Sequence, residues 1–166
     1  AFIGLEAAAT LGDRIASLVV MGLGAAMPVH PALQTAADDD DPLAADLMAG
    51  WMHGPDQKFG TNPTPGMSMT GTSRAVIETS PDGVLAGDLA LCGAYDGAVD
   101  AGAAITCPTT VVLGTLDRMT PRRGAQPLVD ALGHATLVEL ATSGHAPMME
   151  DPDAVRSALL AHLFPS

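Results

Sequence analysis

Three short apolar runs stand out along the chain, each rich in β-branched residues and bounded by turn residues. They cover residues 15–21, Thr109–Gly114 and Thr136–Leu140. Runs of this length without polar alternation are typical of parallel strands that are buried on both faces. The sequence therefore predicts an α/β protein with a sheet of three parallel strands and helices that flank it.

Helical patterns fill much of the remaining sequence. Residues 1–11 are apolar and helix-prone, and Gly12 ends the pattern. Residues 120–132 form a second predicted helix, with Pro121 near its start and Gly133 after its end. Between the first two strands, the sequence predicts helices at 31–37, 43–51, 72–79 and 84–95, a long loop at 54–71, and a return to the sheet over 96–104.

Each of the last two strands is followed closely by one titratable residue. Asp117 follows the first of them, and His145 follows the second. The helix predicted between these strands makes a right-handed crossover, so both loops leave the same edge of the sheet. Ligands bind at that carboxyl edge in open α/β sheets. We therefore expect Asp117 and His145 to meet there as an orienting acid and a general base.

The segments around these two residues carry recognisable motifs. Residues 114–121 read Gly-Thr-Leu-Asp-Arg-Met-Thr-Pro, and residues 143–152 read Ser-Gly-His-Ala-Pro-Met-Met-Glu-Asp-Pro. They resemble the acid loop and the histidine loop of the α/β-hydrolase superfamily, in which the acid also precedes the histidine. The resemblance implies that Asp117 orients the imidazole of His145. The alternative is that Asp117 only caps a helix and His145 is an ordinary loop residue.

The resemblance also extends to the organisation of the chain. It implies a partial α/β-hydrolase fold, with three parallel strands, flanking helices and a helical cap insertion. Residues 1–24 and 104–166 correspond to the core of that fold, and residues 25–103 correspond to the cap. An excursion of helices that starts at the carboxyl edge of the sheet is similar to the cap of many members of the superfamily.

The nucleophile of the superfamily stands in a G-x-S-x-G turn directly before a helix, and residues 1–11 resemble that helix. No G-x-S-x-G occurs in the chain. We therefore expect the carboxyl-terminal part of a carboxylic-ester hydrolase, in which only Asp117 and His145 of a Ser-Asp-His triad are present. The first strand would have an unpaired apolar edge, which favours this interpretation over a complete small domain.

Two other classes of protein would use the same visible residues. Relatives with an Asp or Cys nucleophile, such as dehalogenases, lactone hydrolases and haloperoxidases, would use His145 in the same way. A relative that has lost its nucleophile would bind a ligand or a partner without turnover. The residue in the nucleophile turn distinguishes the three, because Ser, Asp or Cys, and Gly or Ala each point to one class.

The predicted cap is rich in methionine, and flexible thioethers suit an adaptable apolar pocket. The candidate substrate-binding residues are Met27, Trp51, Met52 and Met148. The alternative for each is simple packing against the sheet. The expected ligand is a small apolar ester-like substrate, and the expected chemistry uses no cofactor.

Four other histidines compete with His145 for a functional role. His30 and His53 do not follow a strand beside an acid loop, so we rank them below it. His134 and His162 are predicted to be surface residues at helix boundaries. The acidic run at 38–41 is interpreted as a solvated turn and not as a metal site, because four consecutive carboxylates cannot all face one ion.

Composition limits the possible partners. The formal net charge is −12, from 19 acidic and 7 basic side chains, which argues against nucleic acid or an anionic membrane as a partner. No apolar run approaches the roughly 20 residues of a membrane span. Cys92 and Cys107 follow no metal-binding spacing and are expected to be small thiols, buried or half-buried, with a disulfide between them as the alternative. Because no signal peptide is visible in these residues, we expect a cytoplasmic protein.

Overall fold

A computed structural model describes residues 1–55 and 64–165. Its sheet has three parallel strands, β1 (Leu18–Met21), β2 (Thr109–Gly114) and β3 (Thr136–Leu140), in the spatial order β1-β2-β3. Strand β2 therefore lies in the centre and pairs with both neighbours. The predicted three-stranded parallel sheet is confirmed.

The first strand is shorter than predicted, because it begins at Leu18 and not at residue 15. Ile15 still belongs to the preceding turn, since its N–H donates to the carbonyl oxygen of Gly12. Pairing with the neighbouring strand starts where the N–H of Leu18 donates to the carbonyl oxygen of Pro108, at 2.9 Å. The start of this strand is thus set by its partner and not by its own apolar residues.

Burial on both faces is a property of β2 alone. All six of its residues are buried, whereas Thr136 and Glu139 of β3 are exposed. The prediction that the outer runs are buried on both faces was therefore wrong. The reason is position in the sheet, because β3 has only one neighbouring strand in the described part of the chain. Arg122 covers part of it through an ion pair with Glu139, with 2.6 Å between Nε and Oε1.

Nine α-helices occur in the described ranges of the chain. They are α1 (Phe2–Leu11), α2 (Pro31–Asp38), α3 (Leu43–Met52), α4 (Met69–Ile77), α5 (Val84–Ala94), α6 (Ala98–Ala104), α7 (Arg122–Ala131), α8 (Pro147–Glu150) and α9 (Pro152–Leu163). None of these helices is long and apolar enough to cross a membrane. We call residues 25–103, which carry α2 to α5 and all of α6 except its last residue, the helical segment.

Most predicted helix boundaries are correct within two residues, and α4 is the exception. It begins at Met69, three residues before the predicted start, because Ser68 caps it by accepting a hydrogen bond from the N–H of Gly71. Helices α6, α8 and α9 were not predicted. Of the predicted loop at 54–71, residues 56–63 lie outside the described ranges.

Neighbouring residues of the central strand pack into two different apolar clusters on opposite faces of the sheet. Val111 packs into a large cluster with residues of α1, α6 and α7. Val112 packs on the opposite face with Val155 and Ala158 of α9. Helices α2, α3 and α5 form a third cluster of their own, around Leu33. The sheet is thus covered on both faces, with α6 packed against it, while α2, α3 and α5 have a separate small core.

The end of β2 is packed closely against the loop that follows β3. A β-carbon added to Gly114 would lie 2.1 Å from the carbonyl oxygen of Gly144, a distance that backbone atoms cannot accommodate without moving. We expect Gly114→Ala to lower the free energy of unfolding by on the order of 3 kcal/mol, measured by denaturant unfolding. Gly124→Ala in α7 meets open space and is the matched control. Its effect should be within about 1 kcal/mol and in the stabilising direction.

Candidate active site

Two loops are joined by hydrogen bonds at the carboxyl edge of the sheet. The N–H of Thr115 donates to the carbonyl oxygen of Leu140, and the N–H of Leu116 donates to that of Ser143, both at 3.0 Å. The first loop carries Asp117 on its next residue, and the second reaches His145 two residues later. The backbone itself therefore brings the two side chains together.

The imidazole of His145 is bonded to the carboxylate of Asp117. Nδ1 lies 2.9 Å from Oδ2, and the Asp117 side chain is only 1% exposed, whereas that of His145 is 23% exposed. An ionised carboxylate only accepts hydrogen bonds, so it selects the tautomer with the proton on Nδ1. Nε2 is then left as an acceptor, as a general base requires.

Further hydrogen bonds hold the carboxylate of Asp117 in place. Oδ1 accepts from the backbone N–H groups of Met119, at 2.8 Å, and Thr120, at 2.9 Å. Oδ2 also accepts from the hydroxyl of Thr120, at 2.6 Å. Burial by itself would raise the pKa of the Asp117 carboxyl, but the bonds and charge of His145 and the bonds from Thr120 outweigh it and hold this pKa below its ordinary value.

Thr120 was not recognised from the sequence as part of this site. Its hydroxyl also lies 3.2 Å from Nδ1 of His145, so it contacts both members of the pair. We expect Thr120→Val in the full-length protein to lower kcat by about tenfold, because the carboxylate loses one of two groups that fix Oδ2. Steady-state kinetics check this, with Thr115→Val as control, since the hydroxyl of Thr115 donates to the carbonyl oxygen of Ala141 and to neither member of the pair.

The end of β1 forms the surface behind the imidazole. A β-carbon on Gly22 would lie 3.1 Å from Nδ1 and Cε1 of His145, and Gly22 has a φ of +58°. A side chain there would be strained and would also press on the ring. All three strands therefore contribute to the site: β1 through Gly22, β2 through Asp117 and β3 through His145.

The structure separates the four predicted substrate-binding residues. The carbonyl oxygen of Met52 accepts the N–H of His145 at 2.7 Å, and Met148 is half exposed on the helix that follows His145. Trp51 packs in the small core of the helical segment, and Met27 packs against the large cluster. Of the four, only Met52 contacts His145 through a hydrogen bond, and only Met148 is close to His145 in the sequence.

The other histidines have structural partners. Nδ1 of His30 caps α2. His134 is exposed, as predicted, and Nε2 lies 3.0 Å from the carbonyl oxygen of Cys107. The prediction that His162 is a surface residue was wrong, because it is half-buried and its Nδ1 lies 2.9 Å from the hydroxyl of Thr110 on β2. His53 is completely buried beside Glu150, a residue that sequence analysis noticed only as part of the histidine-loop motif.

The alpha/beta hydrolase family model matches residues 1–158. Because the match covers nearly the whole chain, the protein belongs to this family. The order of acid and histidine and the position of both at the carboxyl edge agree with that membership. None of the curated proteins matches the sequence.

Solved structures of the same fold include hydrolases of several kinds. An enol-lactonase from Burkholderia xenovorans LB400 is 22% identical, with a TM-score of 0.83 over 96% of this chain and 60% of its own. A thermophilic esterase from Thermogutta terrifontis is 22% identical, with a TM-score of 0.79 over 98% and 60%. An esterase from Exiguobacterium antarcticum is 14% identical, with a TM-score of 0.81 over 97% and 62%. At these identities the likeness shows the fold, and the chain spans about three fifths of each structure.

Proposed function

We propose that the full-length protein hydrolyses small apolar carboxylic esters through a Ser-Asp-His triad. The observation that carries the proposal is the Asp117–His145 hydrogen bond, which leaves Nε2 as an acceptor on a partly exposed ring. A serine outside these 166 residues would attack the acyl carbonyl. His145 would accept the hydroxyl proton and return it to the leaving alcohol, while Asp117 stabilises the imidazolium.

The proposal treats the helical segment as a cap that helps to form the substrate pocket. Met27, Trp51, Met52 and Met148 are the proposed lining residues. Support for Met52 comes from its bond to the backbone of His145. Met148 stands three residues beyond His145 and is half exposed. Met27 and Trp51 are half-buried, and the exposed part of each is the proposed contact surface for a ligand.

Esterase activity and the identity of the nucleophile are tested together. The full-length protein is assayed with p-nitrophenyl acetate and butyrate and with an enol-lactone, since one related structure is an enol-lactonase. A fluorophosphonate probe is then used to label the protein, and mass spectrometry locates the label. Turnover that disappears with labelling of a serine supports the proposal. Turnover without a labelled serine would assign an Asp or Cys nucleophile, and the absence of turnover would favour a binding protein.

The proposed pocket role of Trp51 has its own test. We expect Trp51→Ala to lower kcat/KM for longer acyl chains by about tenfold while kcat for acetate changes little, because remote binding surface matters only to substrates that reach it. Leu33→Ala is the matched control, since Leu33 belongs to the same cluster and is fully buried. If kcat/KM depends on acyl-chain length in the same way in both variants, Trp51 has only a packing role.

A further inference from the structure

A second array of carboxylate, imidazole and hydroxyl groups lies behind the Asp117–His145 pair. Its members are Glu150 of α8, His53 after α3 and Ser73 of α4, which are 4%, 0% and 5% exposed. Nε2 of His53 lies 2.8 Å from the hydroxyl oxygen of Ser73, and Nδ1 lies 3.6 Å from Oε1 of Glu150. Burial keeps a substrate away from this array, so a structural or positioning role must explain it.

The carboxylate of Glu150 holds the backbone on both sides of the proposed base. Oε2 accepts from the N–H of Gly144 at 2.8 Å, and Oε1 accepts from the N–H of Ala146 at 3.2 Å. These two residues flank His145 directly. The remaining N–H in this stretch, that of His145 itself, donates to Met52 at 2.7 Å. Three consecutive amide groups are therefore fixed by acceptors on two helices, Glu150 on α8 and Met52 on α3.

The same carboxylate reaches across to the helical segment. Oε2 of Glu150 also accepts from the N–H of Gly54 at 2.9 Å, and the imidazole of the preceding residue, His53, packs against Oε1. Residues 52–54 thus contact the histidine loop through Glu150 and through the carbonyl oxygen of Met52. The histidine loop lies very close to residues 52–54, because a β-carbon on Gly144 would lie 2.7 Å from the carbonyl oxygen of Met52.

We call the contact between residues 52–54 and the histidine loop the junction. The negative charge of Glu150 strengthens the hydrogen bonds that form it. Burial would raise the pKa of its carboxyl, but the attraction of His53 and the N–H groups of Gly54, Gly144 and Ala146 outweigh burial and hold the pKa below its ordinary value. The group is therefore an anion at neutral pH, and charge-assisted bonds are roughly twice as strong as neutral ones. At 3.6 Å the contact with His53 is an electrostatic attraction and not a hydrogen bond.

We propose that Glu150 and His53 are positioning residues, which make the placement of the His145 imidazole depend on how residues 52–54 of the helical segment are seated. The inference rests on the proposed function, in which His145 is the base. A shift of about 1 Å in a reacting group can reduce a rate by about 100-fold, so an anchor on both neighbours of the base has direct consequences for turnover.

The first test replaces each positioning residue with a neutral analogue of similar shape in the full-length protein. In Glu150→Gln, an amide NH₂ must oppose at least one backbone N–H, because both carboxylate oxygens accept from the backbone. We expect kcat on p-nitrophenyl acetate to fall by about 10- to 100-fold, with KM within about twofold. His53→Asn should lower kcat by about tenfold. If Glu150→Gln does not fold, His53→Asn decides.

The matched control is His162→Asn. Like His53, His162 has one side-chain hydroxyl partner, Thr110, but it is only half-buried and lies on α9, away from the histidine loop. Its replacement should lower Tm and leave kcat unchanged. All assays are run at a temperature where circular dichroism shows each variant folded. If Glu150→Gln and His53→Asn behave like the control, with a lower Tm but a kcat within about twofold of wild type, the positioning role is overturned.

A second measurement does not depend on esterase activity. Proton NMR of ¹⁵N-histidine-labelled protein reports the Nδ1–H of His145 in its bond to Asp117. We expect this signal to shift or broaden in Glu150→Gln and His53→Asn, and to be kept in His162→Asn. If the wild type hydrolyses no ester, the proposed function fails, and the NMR comparison alone decides the positioning role. An unchanged signal in both variants would then reject it.

Discussion

Replacing His145 with alanine in the full-length protein is expected to lower kcat by on the order of 10⁵- to 10⁶-fold, the scale known for serine hydrolases. The reason is that both proton transfers of the proposed mechanism use Nε2, and no other described imidazole lies within hydrogen-bonding distance of Asp117. Stability should change little, because the ring is partly exposed. Single-turnover and steady-state kinetics check the loss.

His134→Ala is the control for that variant. His134 is exposed, and its ring contacts Cys107, which precedes β2 at the opposite end of the sheet. We expect kcat within about twofold of wild type. A kcat for His145→Ala that is reduced less than about 100-fold would assign the base to another residue and would overturn the proposed triad.

The second large effect is expected for Asp117→Asn, which should lower kcat by roughly 10⁴-fold while the fold is kept. The hydrogen bonds explain the size of this loss. Two backbone N–H groups point at Oδ1, so the amide oxygen of the variant side chain must take that position. Its NH₂ then faces Nδ1 of His145 as a donor and favours the tautomer that carries its proton on Nε2. The base is thereby blocked.

A double-mutant cycle tests the unit formed by these two residues. Removing both Asp117 and His145 should cost little more than removing His145 alone, because members of a catalytic unit are strongly non-additive. If Asp117 were only a cap for its turn, Asp117→Asn would cost about 1 kcal/mol of stability and leave kcat near normal. Losses in kcat that simply multiply would also contradict the triad.

The sheet and the acid–histidine pair could be predicted because their signals are local. The run Thr109–Gly114 is rich in β-branched residues and has no charged side chain, and among the described strands only this one is completely buried. Asp117 and His145 follow strands at short distances, and the parallel arrangement then brings them to one edge. A crossover rule and a motif are enough to place both residues.

The junction around Glu150 could not be predicted in the same way. Gly54 and Glu150 are 96 positions apart, and no periodic pattern links an acid in one helix to an amide after another. The start of α4 was missed for a related reason, since Gly71 suggested a loop while its N–H in fact completes the cap on Ser68. Contacts that depend on a single hydrogen-bonding group leave no trace in hydrophobic periodicity.

The helical segment lies between two strands that pair side by side, and this arrangement bears on how its length can change. Closing a loop costs free energy that grows only with the logarithm of loop length, by about 0.6 kcal/mol for each doubling. Insertions in the exposed turn at 79–82 should therefore be tolerated without loss of the β1–β2 pairing. Residues 52–54 have no such freedom, because their backbone is bonded to the histidine loop. Libraries that vary substrate preference should thus change chain length at the outer turn and keep the inner junction intact.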